Sequence, residues 1–457
     1  MNDPIALKTR REFLRSTVLG GAVTWTVPVF LSRTFSALHA EAANKATQLV
    51  TGRDGPILVV LQMAGGNDGL NTVVPFTNDF YYRARPRLGL PAKSILKLND
   101  TFGFHPGLTG LKSLYDQGLL SIAHGVGYPN PNRSHFRSTE IWQTASDAKK
   151  FEKYGWIGRY FDNACKGADP TVGVSIGRQM PQAFASSKPV GVSLDNPENY
   201  RFASLDTPEN GEMGSSEMFF RELNQPSMTE DEANPGSTIG EVGGRVQAAG
   251  SPLDYLERTA LDAQISSDKI LAVSKQVQNK ANYPASPLAN SLKLVARLIG
   301  GGLPTRIFYV SQGGYDTHTN QTAAHERLLK DMGDSVKAFI DDMKAQGNFE
   351  RVVLMTFSEF GRRVAENANN GTDHGAAAPL FVVGAKVNAG FVGRAPSLAP
   401  ADLQNGDLKF TTDFRSIYAG VLEQWLQTDS LPVLGRKFEP APLFAATARA
   451  RPAIKAS

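Results

Sequence analysis

Pro56-Ile57-Leu58-Val59-Val60-Leu61-Gln62-Met63 runs straight into Ala64-Gly65-Gly66-Asn67-Asp68-Gly69. A short, continuous apolar run of this kind is the pattern of a strand buried on both faces. The loop after it is glycine-rich, which lets backbone approach a ligand closely; the same string is also a good plain turn. The arrangement recurs downstream. Ile307-Phe308-Tyr309-Val310 precedes Gly313-Gly314-Tyr315-Asp316-Thr317-His318. Val352-Val353-Leu354-Met355-Thr356-Phe357 precedes Ser358-Glu359-Phe360-Gly361-Arg362, and Gly371-Thr372-Asp373-His374-Gly375 follows.

Between these runs the chain alternates helix and strand patterns. Helices are expected at 106–115, 134–145, 288–299, 322–345 and from the cap Thr412-Asp413 to about 426. Further strands are expected at 119–124, 190–194 and 380–383. Repeated strand–loop–helix units predict an α/β fold, a large mostly parallel sheet sandwiched by helices. Ligands of such sheets bind beyond the carboxyl ends of the strands, where the acidic and acid–histidine motifs lie. Residues 195–255 are rich in Gly, Ser, Pro, Asn and Glu. With the segment to 285 they read either as an insertion or cap over the site or as a surface excursion without a role. The tail, 445–457, is expected to fray. One domain is expected over 43–444.

Thr9-Arg10-Arg11-Glu12-Phe13-Leu14-Arg15 reads as a twin-arginine export motif, followed by an interrupted apolar stretch from Val18 to Leu31. Cleavage is expected after Ala40-Glu41-Ala42, so residues 1–42 are a removable signal and the mature chain is periplasmic or secreted. No other apolar run is long enough for a membrane span. The whole chain of 457 residues is 41% hydrophobic and 20% charged, with a formal net charge of +4. That is ordinary globular usage without a basic footprint for nucleic acid. The single cysteine, Cys165, excludes an internal disulfide. Its sequel, Lys166-Gly167-Ala168-Asp169-Pro170, is not the Cys-x-Pro-x-Arg context of a formylglycine enzyme.

Carboxylates and imidazoles converging on one point suit a metal-assisted hydrolase. The candidate ligands are Asp68, Asp316, His318, Glu359, Asp373 and His374, for one or two divalent ions of zinc, manganese, magnesium or calcium. Asn132-Arg133-Ser134-His135-Phe136-Arg137 lies at an expected helix start. There the unpaired N–H groups and the dipole favour an anion. Ser134 is the candidate nucleophile, or simply a helix cap. His135 is a ligand, a base or a packing residue. Arg133 and Arg137 are candidate clamps for an oxyanion. Asn67, Arg362 and Arg415 are further substrate-binding candidates, Arg415 alternatively pairing a neighbouring acid.

The ordered motifs Leu61–Asn71, Arg133–Phe136, Gly314–His318, Ser358–Arg362, Gly371–Gly375 and Thr412–Arg415 resemble those of the DUF1501 family of exported bacterial proteins. The resemblance runs from about Pro56 to Gln427. That family is similar to the alkaline phosphatase/sulfatase superfamily, which implies an alkaline-phosphatase-like mixed sheet between helices. It also implies Asp68 in the first metal-binding role, Ser134 as nucleophile, Asp316 and His318 next, then Glu359, and last His374 with Asp373. Here Asp316 and His318 stand two apart rather than four, and Ser358-Glu359 replaces an Asp-His pair. The family further implies an exported DUF1800 partner.

Two functions follow. One is a metal-dependent hydrolase of phosphate or sulfate esters, acting on an anionic small-molecule or polymer substrate. The other is a non-catalytic periplasmic scaffold or partner-binding protein that retains the fold.

Overall fold

The computed structural model describes residues 55–445 apart from 167, 188–190 and 199–265. The expected signal, most of the expected insertion and the tail beyond 445 lie outside the described residues. Twelve strands are described: β1 Ile57–Met63, β2 Val73–Val74, β3 Leu96–Lys97, β4 Gly103–Phe104, β5 Leu120–Gly127, β6 Gly173–Ile176, β7 Val192–Leu194, β8 Ile307–Gln312, β9 Val352–Phe357, β10 Ala378–Gly384, β11 Gly390–Val392 and β12 Thr412–Asp413.

Nine of these form the main sheet in the order β11-β5-β10-β9-β1-β8-β6-β7, with β12 continuing alongside β5. Strand β1 is its centre and pairs in parallel with β8 and β9. Only β10 is antiparallel to its neighbours, β5 and β9. The sheet is mixed but mostly parallel, as the alternation of strand and helix patterns implies.

Successive side chains of a strand point to opposite faces, and the core divides accordingly. Ile57, Val59, Leu61 and Met63 enter one apolar layer with Phe308, Val310, Val352 and Leu354. Leu58 and Val60 enter the other with Tyr309, Val353, Met355 and Phe357. The helices Thr109–Asp116, Pro287–Gly300 and Gln321–Gln346 cover the first face through Leu111, Leu292, Val336 and Phe339. The helices His135–Thr144, Trp156–Ala164 and Phe414–Gly420 cover the second through Trp142, Trp156 and Tyr418. Strand β6, helix Trp156–Ala164 and the small antiparallel sheet β2-β4-β3 carry no sequence expectation. The helix Trp156–Ala164 packs so closely that a β-carbon at Gly158 would overlap the Ala185 carbonyl. It depends on that approach more than on local propensity.

Direction decides where the motifs go. Strands β1, β8 and β9 are parallel neighbours, so the loops after Met63, Gln312 and Phe357 leave one edge of the sheet together. Because β10 is reversed, the 371–377 loop that precedes it reaches the same edge. Strand β5 runs with β9, so the 128–134 segment emerges there as well.

Asp68 ends in the fold's interior. It caps the short helix Gly69–Thr72 by accepting from Asn71 N, and it pairs with Arg85 Nη1 at 2.6 Å, both side chains buried. Burial alone would raise its carboxyl, but the charge and hydrogen bond of Arg85, together with smaller contributions that include the hydrogen bond from Gln321, hold the pKa below the usual carboxylate range. Asp68→Asn leaves Arg85 buried without its charge partner and should cost about 3–5 kcal/mol in denaturant unfolding near pH 7. Since the folded pKa is lowered, the pair's contribution stands above roughly pH 4 and disappears as pH falls through the folded value; the mutational cost should shrink with it.

His325, fully buried, has its pKa depressed to about 4 by burial. The unfolded chain therefore binds more protons between about pH 6.5 and 4, and stability falls as pH drops through that window, by up to about 3 kcal/mol from this group. His325→Gln should flatten that part of the stability–pH curve; an unchanged slope would show that other groups govern it.

Candidate metal centre

Two buried side chains hold the loops of this edge together. Arg362 Nε donates to Gly66 O at 2.7 Å and Nη1 to Thr372 O at 2.8 Å. Its Nη2 donates to Tyr315 O at 3.0 Å, to Asp316 Oδ1 at 2.7 Å and to Gly65 O. Gln321 donates to Asp68 and accepts from Thr317 and Thr372 hydroxyls. The contact between the first two loops is close enough that a β-carbon at Gly65, where φ is +121°, would overlap the Asp316 backbone. Only glycine fits both that space and that conformation.

On this base the imidazoles gather around Asp316. His374 Nε2 is 3.0 Å and His318 Nε2 3.1 Å from Asp316 Oδ1. His135 Nε2 is 3.4 Å from Asp316 Oδ2. His318 Nε2 and His374 Nε2 lie 2.9 Å apart. One ligand atom each of His135, Asp316 and His374 falls within 4.8 Å of the others.

Every Nδ1 is occupied from behind. His135 Nδ1 meets Glu359 Oε1 at 2.9 Å, His318 Nδ1 meets Asp373 Oδ1 at 3.2 Å, and His374 Nδ1 meets the Arg133 carbonyl at 2.8 Å. These oxygens only accept, so each Nδ1 carries a proton, and in the neutral imidazole each Nε2 turns a lone pair inward. Two such lone pairs 2.9 Å apart repel unless a proton on one of them or a cation between them intervenes. A tetrahedral ion with bonds of about 2.0–2.1 Å asks for donors roughly 3.3 Å apart, close to the spacings found. Carboxylate or carbonyl contacts behind ligating imidazoles are the usual support of a metal site. The residues present therefore fit a divalent metal.

Asp316 is suited to that task. Partial burial would raise its carboxyl, but the hydrogen bond and charge of Arg362, among the groups around it, lower it to about 2. Asp373 is also lowered, chiefly by its hydrogen bond from Asn367, against partial desolvation and with help from His318. Glu359 Oε1 accepts from Gly65 N at 2.8 Å. Its Oε2 is buried with no partner among the described residues.

The expected residues thus separate. Asp316, His318, His374 and His135 converge. Glu359 and Asp373, expected as ligands, stand behind imidazoles. Asp68 does not join, being taken by Arg85 and Gln321. Arg362 is a buried loop tie rather than a substrate clamp. Arg137 is held by Glu140 at 2.8 Å, by the carbonyls of Ala148 and Lys150, and by the ring of Phe151 at 3.9 Å. Arg415 pairs Asp413 at 2.7 Å and also Asp147. Asn67 is buried, its Oδ1 accepting from Thr72 and His325. Ser134 is the helix N-cap residue, yet its side chain makes no capping bond, and it is exposed. Arg133 pairs with Asp407. Sequence reasoning passed over Arg85 and Gln321, which lie in ordinary polar surroundings with no motif to mark them.

Fold and site together define an α/β protein with a large central sheet flanked by helices and a histidine–carboxylate centre at the carboxyl edge of its parallel strands. The chain belongs to the family described as "Protein of unknown function (DUF1501)", whose model matches residues 56–433. No curated protein matches it. Similar solved structures include a protein in the alkaline phosphatase superfamily from Vibrio parahaemolyticus, with 12% identity, a TM-score of 0.38 and coverage of 89% of this chain and 76% of that one. Another is the C-terminal periplasmic domain of EcEptC from Escherichia coli in complex with Zn, with 11% identity, a TM-score of 0.33 and 74% coverage of each chain. The lipoteichoic acid synthase LtaP from Listeria monocytogenes matches at 8% identity and a TM-score of 0.30, covering 84% of this chain and 81% of that one. Overlaps this loose carry no inference about what the chain binds.

Arg362→Lys keeps the charge but cannot span three loops with one ammonium. It should lower stability by about 2–4 kcal/mol and loosen the Asp316 loop, seen as faster amide exchange at Tyr315–His318. Unaltered exchange there would mean that packing alone holds the loop.

Proposed function

We propose that the chain is a metal-dependent hydrolase of phosphate or sulfate esters, exported by the twin-arginine route, with Ser134 as its nucleophile. The observation that carries this reading is the inward set of three Nε2 atoms and the Asp316 carboxylate, each imidazole fixed from behind. Among zinc, manganese, magnesium and calcium, three imidazoles favour zinc, since magnesium and calcium prefer oxygen shells. A bound divalent cation supplies charge neutralisation for the ester's oxygens and lowers the pKa of a hydroxyl beside it.

The chain's own residues supply the rest. Ser134 lies between Arg133, whose carbonyl holds His374, and His135, a member of the inward set. Its exposed, uncapped hydroxyl is available for attack. The unpaired N–H groups of the first turn of helix His135–Thr144 favour the anion that Ser134 approaches. Arg137, Arg362 and Arg415 are largely buried in their pairings, whereas Arg133, paired with Asp407 at one end, is partly exposed and is the guanidinium suited to steady an ester's oxyanion. Glu359 keeps His135 oriented.

The non-catalytic alternative has one observation behind it. His318 Nε2, 2.9 Å from His374 Nε2 and 3.1 Å from Asp316 Oδ1, would be a fourth protein donor beside His135, Asp316 and His374; four such donors would complete a structural site, whereas catalytic sites keep a position open. On that reading metal removal lowers Tm and no ester is turned over.

The test is metal content of the exported protein, purified without chelator, beside His374→Ala and Asp316→Ala. The proposal expects tightly held zinc in the wild type and its loss in both variants; folded wild-type protein that stays empty after incubation with zinc would sink it. Against a panel of phosphate and sulfate esters, Ser134→Ala should lower kcat by roughly a hundredfold or more with Tm unchanged. Equal turnover would remove Ser134 from the mechanism.

A further inference from the structure

Beside the centre is a cleft of about 440 Å³ whose walls include Asn130, Asn132, Arg133, Gln404, Asn405 and Asp407. Its size is within the ~300–1,000 Å³ typical of small-molecule sites. One wall is a preorganised hairpin turn. Gln404 and Asp407 exchange both backbone hydrogen bonds at 3.0 Å, and Asn405 and Gly406 between them have φ of 55° and 83°, as in a two-residue type I′ turn. Arg363 donates to the Asn405 carbonyl and pairs with Asp407. On the facing wall Asn130 also has a positive φ, 54°.

Backbone, not side-chain bonding, thus fixes these positions. The side-chain amides of Asn130, Gln404 and Asn405 have no hydrogen-bond partner among the described residues. Asn132 uses only its Oδ1, which accepts from Ser134 N at 2.8 Å. Asp407, 2% exposed, lies between Arg133 and Arg363, which leaves this corner with one net positive charge.

An amide offers a donor and an acceptor together, as a hydroxyl does. Four amides carried on two walls of set backbone suit a ligand dense in hydroxyls. A peptide would want apolar pockets for its side chains and a nucleobase an aromatic platform. The apolar part of the lining is Pro131 and Ala376. Arg133 joins the cleft to the centre, since its guanidinium meets Asp407 while its carbonyl holds His374.

We propose that this cleft binds the alcohol part of the substrate, and that this part is a sugar or other polyol. The inference rests on the hydrolase reading and names its substrate class.

The test measures binding to the zinc-loaded full chain by saturation-transfer NMR. The probes are monophosphates and monosulfates of glucose, galactose and mannose, with phenyl phosphate and phenyl sulfate as hydroxyl-free controls. At least one sugar ester should bind about fivefold or more tightly than the phenyl ester of the same anion. Asn130→Gly with Asn405→Gly, which keep the positive φ, and separately Gln404→Ala, which alters no backbone requirement, should erase most of that preference and leave phenyl ester binding unchanged. No preference for any sugar ester overturns the proposal, as does a preference that all these variants retain. Sugar esters that bind through the cleft but are not hydrolysed would support the subsite while removing the hydrolase reading.

Discussion

The guanidinium of Arg362 is the tie on which the rest of the site depends. A cation buried among apolar strands is tolerable only when its donors are fully used. Here they are used by carbonyls of Gly65, Gly66, Tyr315 and Thr372 and by the carboxylate of Asp316. Those acceptors belong to three loops that leave the sheet at different strands. Satisfying the one charge therefore fixes the loops relative to each other. Asp316 is the only acid among the acceptors, so its carboxylate is charged and aimed before anything binds. Gln321 performs a neutral version of the same task one layer deeper, between Asp68, Thr317 and Thr372.

Above that tie the site is organised by proton placement. Three histidines from three loops direct their Nε2 lone pairs to one region because three acceptors, Glu359, Asp373 and the Arg133 carbonyl, hold their Nδ1 protons. A bound cation would offset the cost of bringing these lone pairs together. The acids therefore divide labour, with Asp316 facing inward and Glu359 and Asp373 facing the backs of imidazoles. Helix His135–Thr144 is set in place by Ser138, whose hydroxyl donates to the Glu359 carbonyl. The same loop thus positions both His135 and its carboxylate.

Much of this was legible in the chain. The strands β1, β8, β9 and β10 announce themselves as apolar runs, and their loops carry the chemistry-bearing residues. Direction was not legible. A run of Val and Leu does not say that β10 is reversed, and that reversal brings the 371–377 loop to the edge where β1, β8 and β9 end. Elements with weak local signals also escaped notice. Helix Trp156–Ala164, which includes Gly158, and the four-residue β6 are held by neighbours remote in sequence.

Residue types and local order came from the sequence alone, because apolar periodicity and glycine punctuation act over a few residues: which segments are strands, which loops bear acid and histidine, and where a helix begins at Ser134. Partnership came only from the tertiary structure. Asp68 reads as a ligand until Arg85 folds against it, and Glu359 reads as one until His135, 224 positions away, takes its oxygen. Both carboxylates obey the same rule, that a buried polar oxygen seeks a donor, although Glu359 satisfies it through Oε1 alone. Which partner each finds depends on distances in the folded chain, which residue spacing does not encode.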